Sequence, residues 1–407
     1  MRVIVVGGGQ AGASVVAKLR SLGFEGDILL LTSESEPPYE RPPLSKKHLS
    51  QESLGVPVPI LPAEFWQDNQ VDLRLKAKVE AIDLPGNSVK IGPESFTFDH
   101  LVLATGASAR QLPIEDTADR GNIFHLRNLA DANAIHAQLE PGKSMVLIGG
   151  GYIGMELAAT ARMRGLETTI IERDERILKR VASAELSSRI VDWHRKQGVS
   201  IIEAIGSFHL SGDTIIDGVR LFDGTEIPAD IIVAGVGAAP NTELAEAAGL
   251  AIDNGIAVDS FGRTTQPNVW AAGDCASFVF NGRRIRLESV QNAIDQAETV
   301  AENILGASKE YIPTPTFWSE QFNHLVQIAG LYEQNMETIC RQAASGNSFW
   351  HYRNGVLKAV EVVDDPKTFS IARRLLSDGK SPSPELVASA ERNLKEILRT
   401  ARQPAAA

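Results

Sequence analysis

VIVVGGGQAG at residues 3–12 and MVLIGGGYIG at residues 145–154 are near copies of one pattern. Each is an apolar, β-branched run, then G-x-G-x-x-G, then a helix-like stretch. The glycines are Gly7, Gly9 and Gly12 in the first copy, and Gly149, Gly151 and Gly154 in the second. The first glycine of such a motif permits a tight turn after a strand. The second lets backbone approach a pyrophosphate, and the third lets the following helix pack on the strand. The helix N-terminus then offers unpaired N–H groups and partial positive charge to phosphates. An acidic residue ends a second apolar run in each copy: Glu34 after ILLLTS and Glu172 after TTII. Such an acid accepts from a ribose hydroxyl. Gly23 and Gly165 keep the same offset as the motif glycines, so the repeat runs through the intervening helix. One such motif is a weak signal. Two, each closing a strand, imply two dinucleotides on one chain. A flavin and a nicotinamide cofactor are the natural pair, with hydride passing between them.

Composition is compatible with this. A chain of 407 residues with 43% apolar content supports two or three packed domains, and 34 glycines suit many strand-to-helix turns. The net charge of −11 argues against nucleic acid or an anionic membrane as partner. Cys275 and Cys340 belong to no C-x-x-C or metal-ligand cluster, and read as buried thiols in a reducing compartment. The first strand starts at Arg2, leaving no room for a leader. No apolar run of about 18 residues lacks glycine or charge, so no spanning helix is expected. These features together predict a cytoplasmic protein.

Along the chain, residues 1–34 read as strand, helix, strand. EPPYERPPLSKKH (36–48) is too proline-rich for an element interior and reads as a shaped loop entering a helix. Residues 70–103 read as β-hairpins with a P-G-N turn at 85–87, ending in the buried strand of HLVLATG. DIIVAGVGAAPN (230–241) mirrors DHLVLATGA, WAAGDCA (270–276) is another strand ending in a tight Gly–Asp turn, and 288–305 is helical. Residues 319–363 alternate like antiparallel strands, with an N-G hairpin turn at 354–355. The tail from Pro384 is helical in pattern, with PAAA frayed. The expected fold is α/β, with two Rossmann-like dinucleotide-binding domains and a smaller C-terminal α/β domain. The expected division is residues 1–108 and 235–316 for the flavin, 109–234 for the nicotinamide dinucleotide, and 317–407 as an interface domain.

VVGGGQAG, PYERPPLSK, LVLATGA, GGGYIGMELA and WAAGDCA, with LESVQNAIDQA and FWSEQF, resemble the two-dinucleotide-domain flavoproteins of glutathione-reductase-like fold. Within them, PYERPPLSK and FWSEQF resemble the NADH-dependent ferredoxin reductases of the putidaredoxin reductase type. That resemblance implies FAD and NADH as cofactors. It implies a 2Fe-2S ferredoxin as acceptor, serving a haem-thiolate monooxygenase or aromatic-ring dioxygenase. Thiol-dependent relatives carry a cysteine where this chain has Ser45 and Lys46, so electrons leave the flavin directly. Rubredoxin, a quinone and dioxygen remain alternative acceptors. An apoptosis-inducing-factor-like, redox-responsive binding protein remains an alternative of another class. The expected state is a monomer or weak homodimer.

The resemblance also assigns roles. Lys46 stands beside the flavin reacting centre, with Glu156 as its partner. Arg41 clamps the FAD pyrophosphate, and Asp274 binds the ribityl chain and neighbouring phosphate. Arg127 lies near FAD or makes a surface ion pair. Val290, through its backbone, and Trp318 surround the flavin ring, unless Trp318 simply fills a domain joint. Tyr152 covers the flavin face or packs between domains. Glu172 favours NADH because it repels a 2′-phosphate, and the adjacent Arg173 softens that repulsion. Arg180 reaches the NAD phosphates or is a solvated helix charge. Candidate docking cations are Arg283, Arg284, Arg286, Arg373, Arg374 and Lys380. Each is also readable as an ordinary surface charge.

Overall fold

The computed structural model describes residues 1–51, 53–112, 121–212, 215–343, 346–389 and 392–401. Each glycine motif closes the central strand of a five-stranded parallel sheet. In the first sheet, Arg2–Val6 lies between Asp27–Leu31 and His100–Leu103, with Val71–Arg74 and Val269–Ala271 at the edges. In the second, Ser144–Ile148 lies between Glu167–Ile171 and Ile231–Ala234, with Ser200–Ile202 and Ile123–Phe124 at the edges. The strand order matches, but the last strand has a different source. It arrives from downstream in the first sheet and from upstream in the second.

The unbroken apolar run of the first strand follows from burial on both faces, as parallel sheets require. Val3 and Val5 pack with Val15, Val16 and Leu19 of helix Gln10–Ser21, and with Ala297, Val300 and Ala301 of helix Val290–Ile304. Ile4 and Val6 face the other way, into a core shared with Leu29, Leu101, Val269 and Phe278. Alternate residues of one strand thus knit two separate layers.

The chain divides into two compact units: residues 1–40, 57–108 and 238–313, and residues 41–56, 109–237 and 314–407. Residues 41–56, which the sequence assigns to the first domain, lie in the second unit. Arg164 there donates to the carbonyls of Leu49, at 3.3 Å, and Gln51. Val71–Arg74 also differs from expectation. It pairs parallel with Asp27–Leu31 rather than forming a hairpin; only its first residue is buried, a mixed pattern that an edge strand tolerates and that resembles half of a hairpin. The hairpins begin later, at Ala81–Asp83, Ser88–Ile91 and Glu94–Thr97.

The C-terminal portion is an antiparallel sheet in the order Thr316–Gln321, His324–Gly330, Val356–Val363, Gly346–Arg353, Glu337–Ala343. Asn354 and Gly355 have φ of 52° and 73°, the doubly left-handed backbone that a two-residue hairpin turn demands. Helix Pro366–Ser377 covers this sheet, with Asp365 capping Thr368 N at 3.1 Å. The tail forms two short helices, Pro384–Ala388 and Leu394–Thr400. Arg341 fastens them by donating to the carbonyls of Val387 (2.9 Å) and Arg392 (2.6 Å). PAAA lies outside the described residues. Among the described residues, no helix is long and apolar enough to cross a membrane, and no cluster of metal-ligating side chains occurs.

Candidate active site

The glycines of each motif serve different physical needs. A Cβ on Gly7 would sit 2.0 Å from the Ala104 carbonyl oxygen, and its φ is +121°. A Cβ on Gly12 would sit 2.0 Å from Gly7 O. Those two glycines are required by packing. Gly9 is not: a Cβ there would meet nothing within 4 Å, and its backbone is extended at φ −93° and ψ −167°. The space above Gly9 leads to the N-terminus of helix Gln10–Ser21, where no side chain caps the free N–H groups. Such a helix end is an anion site, and an open one fits a pyrophosphate.

Other predicted residues of the first unit gather at the same carboxyl ends of the strands. A Cβ on Gly273 would lie 2.9 Å from Ala11 Cβ, so the turn bearing Asp274 abuts the glycine loop. Asp274 is half-buried, and its carbonyl accepts from Arg286 at 3.1 Å. Glu34 is half-buried and accepts from the Tyr39 hydroxyl. Val290 opens its helix, after the cap from Ser289 to Asn292 N at 3.2 Å.

The second motif repeats this division of labour. A Cβ on Gly149 (φ +109°) would meet Gly235 O at 2.5 Å, and one on Gly154 would meet Gly149 O at 2.2 Å. Gly151 again faces nothing within 4 Å. Glu172 accepts from Gly150 N at 2.7 Å through Oε2 and from Asp174 N at 2.8 Å through Oε1. A carboxylate has about four lone-pair sites, so each oxygen retains one for a ribose hydroxyl. Arg173 and Arg180 are exposed on the loop that follows.

The second unit also brings together a buried polar cluster. The 3-10 turn Pro42–Ser45, rigidified by its prolines, presents Ser45 and Lys46. Lys46 Nζ lies 2.8 Å from Glu156 Oε2, with the side chains 16% and 5% exposed. Ser45 donates to the same oxygen at 2.5 Å, and Ser319 donates to Oε1 at 2.6 Å. Gln321 donates to Ser319 Oγ at 3.1 Å, and its Oε1 lies 3.0 Å from His194 Nε2. Burial pushes His194 down to about 4, against the opposing hydrogen bond to Gln321, so the ring is neutral. The Nε2–H tautomer then lets every donor in the chain point toward Glu156. Both carboxylate oxygens are satisfied, which is the condition for keeping a charge in so dry a place.

Sequence reasoning named Lys46 and Glu156 but missed Ser319, Gln321 and His194. The signal available was the two-residue alternation of FWSEQF, which sets Ser319 and Gln321 on one face and Trp318 on the other. Trp318 is half-buried. Tyr152 packs on Phe317 with ring centroids 4.4 Å apart. Its hydroxyl is buried with no partner among the described residues. Burial, then the charges of Glu361 and Glu156, raise its pKa well above that of an ordinary tyrosine. Arg41 donates to Arg127 O at 2.9 Å, which draws those two predicted residues together. Several candidate docking cations are engaged by the chain itself. Arg284 pairs with Asp253 at 3.4 Å, Arg286 with Glu288, and Asp378 takes both Arg374 (3.6 Å) and Lys380 (3.4 Å). Arg373 is exposed.

The model of the pyridine nucleotide-disulphide oxidoreductases matches residues 1–297. The chain belongs to that family. A reductase C-terminal domain follows at residues 316–398. The ferredoxin reductase subunit of a 5,5'-dehydrodivanillate O-demethylase from Sphingobium is 38% identical, over 97% of both chains. The ferredoxin reductase for the CYP199A2 system from Rhodopseudomonas palustris superposes with a TM-score of 0.94 at 35% identity, covering 98% of this chain and 99% of that one. The reductase in a covalent putidaredoxin reductase–putidaredoxin complex gives 0.93 at 34% identity, covering 98% of each. The chain carries two free cysteines and no disulfide among the described residues. Ser45 stands in the buried cluster and Cys275 is buried as expected, but Cys340, read from the sequence as buried, is exposed on the strand Glu337–Ala343 at the edge of its sheet.

Proposed function

We propose that this chain is an FAD-dependent NADH:ferredoxin reductase that supplies a two-iron ferredoxin of an oxygenase system. The observation that carries the reading is the buried Lys46–Glu156 pair, flanked by serines, in a chain with two open glycine turns and no thiol pair. FAD held by these residues would supply the acceptor for a hydride from the nicotinamide and the means of passing electrons on singly.

The chain's own residues do the rest. In the first unit, the Gly7–Gly12 turn and Asp274 hold the flavin's phosphates and ribityl chain, and Glu34 holds its ribose. In the second, the Gly149–Gly154 turn, Glu172 and Arg180 hold NADH, and Tyr152 yields its place to the nicotinamide. Arg41 supplies charge to a pyrophosphate, Arg127 and Trp318 line the flavin, and Lys46 offers a cation to its reacting end. Glu156 fixes that cation in place and is in turn fixed by Ser45 and Ser319. Most of the rate acceleration is then positioning. We assign FAD to residues 1–108 and 235–316, NADH to 109–234, and the interface role to 317–407. Two unpaired cysteines support a reducing, cytoplasmic setting.

The test is NADH oxidation by the yellow protein with a two-iron ferredoxin and cytochrome c as reporter. Ferredoxin-dependent reduction of cytochrome c, faster with NADH than NADPH, is expected. Flavin bleaching by NADH without ferredoxin-dependent turnover would remove the proposed acceptor and favour rubredoxin, a quinone or a redox-sensing role.

A further inference from the structure

The second unit buries another carboxylate, outside the Lys46 cluster. Glu361, on the strand Val356–Val363, is 0% exposed, and so are Ser183 and His351. Ser183 meets Glu361 twice: its N–H donates to Oε1 at 2.8 Å and its hydroxyl to Oε2 at 2.5 Å. His351 Nε2 lies 3.1 Å from Oε2, and Thr338 Oγ1 lies 3.1 Å from His351 Nδ1. Ser183 Oγ also caps helix Ala184–Lys196 by accepting from Leu186 N at 3.1 Å. One of its two lone pairs is thereby committed, and its proton goes to Glu361 as acceptor. A carboxylate supplies that acceptor and a second one for the N–H. An amide offers one accepting oxygen where Ser183 presents two donors to two oxygens, so it cannot keep both bonds in this geometry.

Ser183 ends a loop that begins at Glu172. Arg176 ties that loop internally, donating to the carbonyls of Ala182 at 2.8 Å and Lys179 at 3.3 Å. Leu178 N donates to Gly150 O at 3.0 Å, and Gly150 N donates to Glu172 at 2.7 Å. A Cβ on Gly150 would lie 2.6 Å from Ile177 Cγ2, so the loop backs the glycine turn directly. Hydrogen bonds therefore run from the C-terminal sheet, through residues 172–183, into the turn.

We propose that Glu361 is a positioning residue for dinucleotide binding, anchoring residues 172–183 so that the second glycine turn, Glu172 and Arg180 keep their binding geometry. The inference rests on reading Gly149–Gly154 as the NADH turn. It makes the C-terminal sheet a determinant of coenzyme affinity, although that sheet carries none of the residues assigned to NADH.

The test titrates ADP-ribose into FAD-loaded wild type, Glu361→Gln, Ser183→Ala, Ser183→Thr and Gly151→Ala by calorimetry, alongside KM and kcat for NADH. Glu361→Gln and Ser183→Ala are expected to raise the ADP-ribose Kd and the NADH KM together by about tenfold, with kcat and bound FAD within about twofold. Ser183→Thr keeps the hydroxyl and should bind as wild type. If Glu361→Gln does not fold, the serine pair decides alone. Unchanged ADP-ribose binding in Ser183→Ala and Glu361→Gln, with only a lower melting temperature, would overturn the proposal. Gly151→Ala separates the two layers of reasoning. If it too binds normally, the assignment of the turn fails. If it loses binding while Glu361→Gln does not, the anchoring role alone fails.

Discussion

Alanine at Gly9 and alanine at Gly12 are the same chemical change three residues apart, and their consequences should separate cleanly. At Gly9 the backbone is extended, and the added Cβ meets no protein atom within 4 Å. Loss of a tolerable cap and the smaller entropy of the unfolded chain nearly offset each other, so folding should change by under about 0.5 kcal/mol. The methyl group instead stands where phosphate oxygens approach the helix N-terminus. Displacing the pyrophosphate from about two charge-assisted hydrogen bonds, each worth roughly 1.5 kcal/mol, weakens FAD roughly a hundredfold. At Gly12 the Cβ would lie 2.0 Å from a backbone oxygen that cannot rotate away. The strand–helix packing must give, at a cost of about 1–3 kcal/mol. Calorimetry of the apoproteins and FAD titration by fluorescence quenching distinguish the two. Gly9→Ala should melt within about 2 °C of wild type but bind FAD poorly, whereas Gly12→Ala should melt roughly 4–8 °C lower. A Gly9→Ala protein that keeps its FAD affinity, or melts as low as Gly12→Ala, would refute the reasoning.

Lys46→Met should slow NADH-driven flavin reduction by about ten- to a hundredfold in stopped-flow, and should also destabilise the protein by leaving Glu156 buried without its cation. Part of that stability should return in Lys46→Met/Glu156→Gln, measured by urea unfolding; no recovery would mean that the pair is not coupled. His194 is held at about 4, below its unfolded 6.5. The unfolded chain therefore binds more protons between those values. The stability is fully present above about 6.5 and is lost as pH falls toward 4, by up to about 3 kcal/mol. His194→Gln should flatten that limb of a urea-unfolding pH series. Tyr152→Phe deletes a buried hydroxyl that has no partner among the described residues, and should raise the apoprotein melting temperature by about 2–4 °C.

Much of the architecture was legible because apolar runs and glycines act locally. VIVV must be buried on both faces, and a strand followed by G-x-G-x-x-G leaves few alternatives to a parallel sheet. Val71–Arg74 was misread because an edge strand with mixed burial looks like half of a hairpin. Within the motifs, the spacing already separates Gly9, open to a pyrophosphate, from Gly12, needed for helix packing, and the structure adds what each missing methyl would touch. The Lys46–Glu156 pairing came from resemblance, not from spacing. Ser319, Gln321, His194 and Glu361 were hidden for a shared reason. Each takes its meaning from a partner far away in the chain, as Ser319 and Glu361 do from Glu156 and Ser183.

The two parallel sheets differ in when their last strand becomes available during synthesis. Ile123–Phe124 leaves the ribosome before the strand Ile231–Ala234 that it borders. His100–Leu103 must instead wait for Val269–Ala271. At about 5–20 residues per second, that delay is roughly ten to thirty seconds. For that interval the nascent first sheet carries an apolar strand with one side unpaired, and lacks the helix Val290–Ile304 that covers one of its faces. The later sheet has its strands in hand first. Translation speed and chaperone supply should therefore govern the yield of the earlier half more than of the later one.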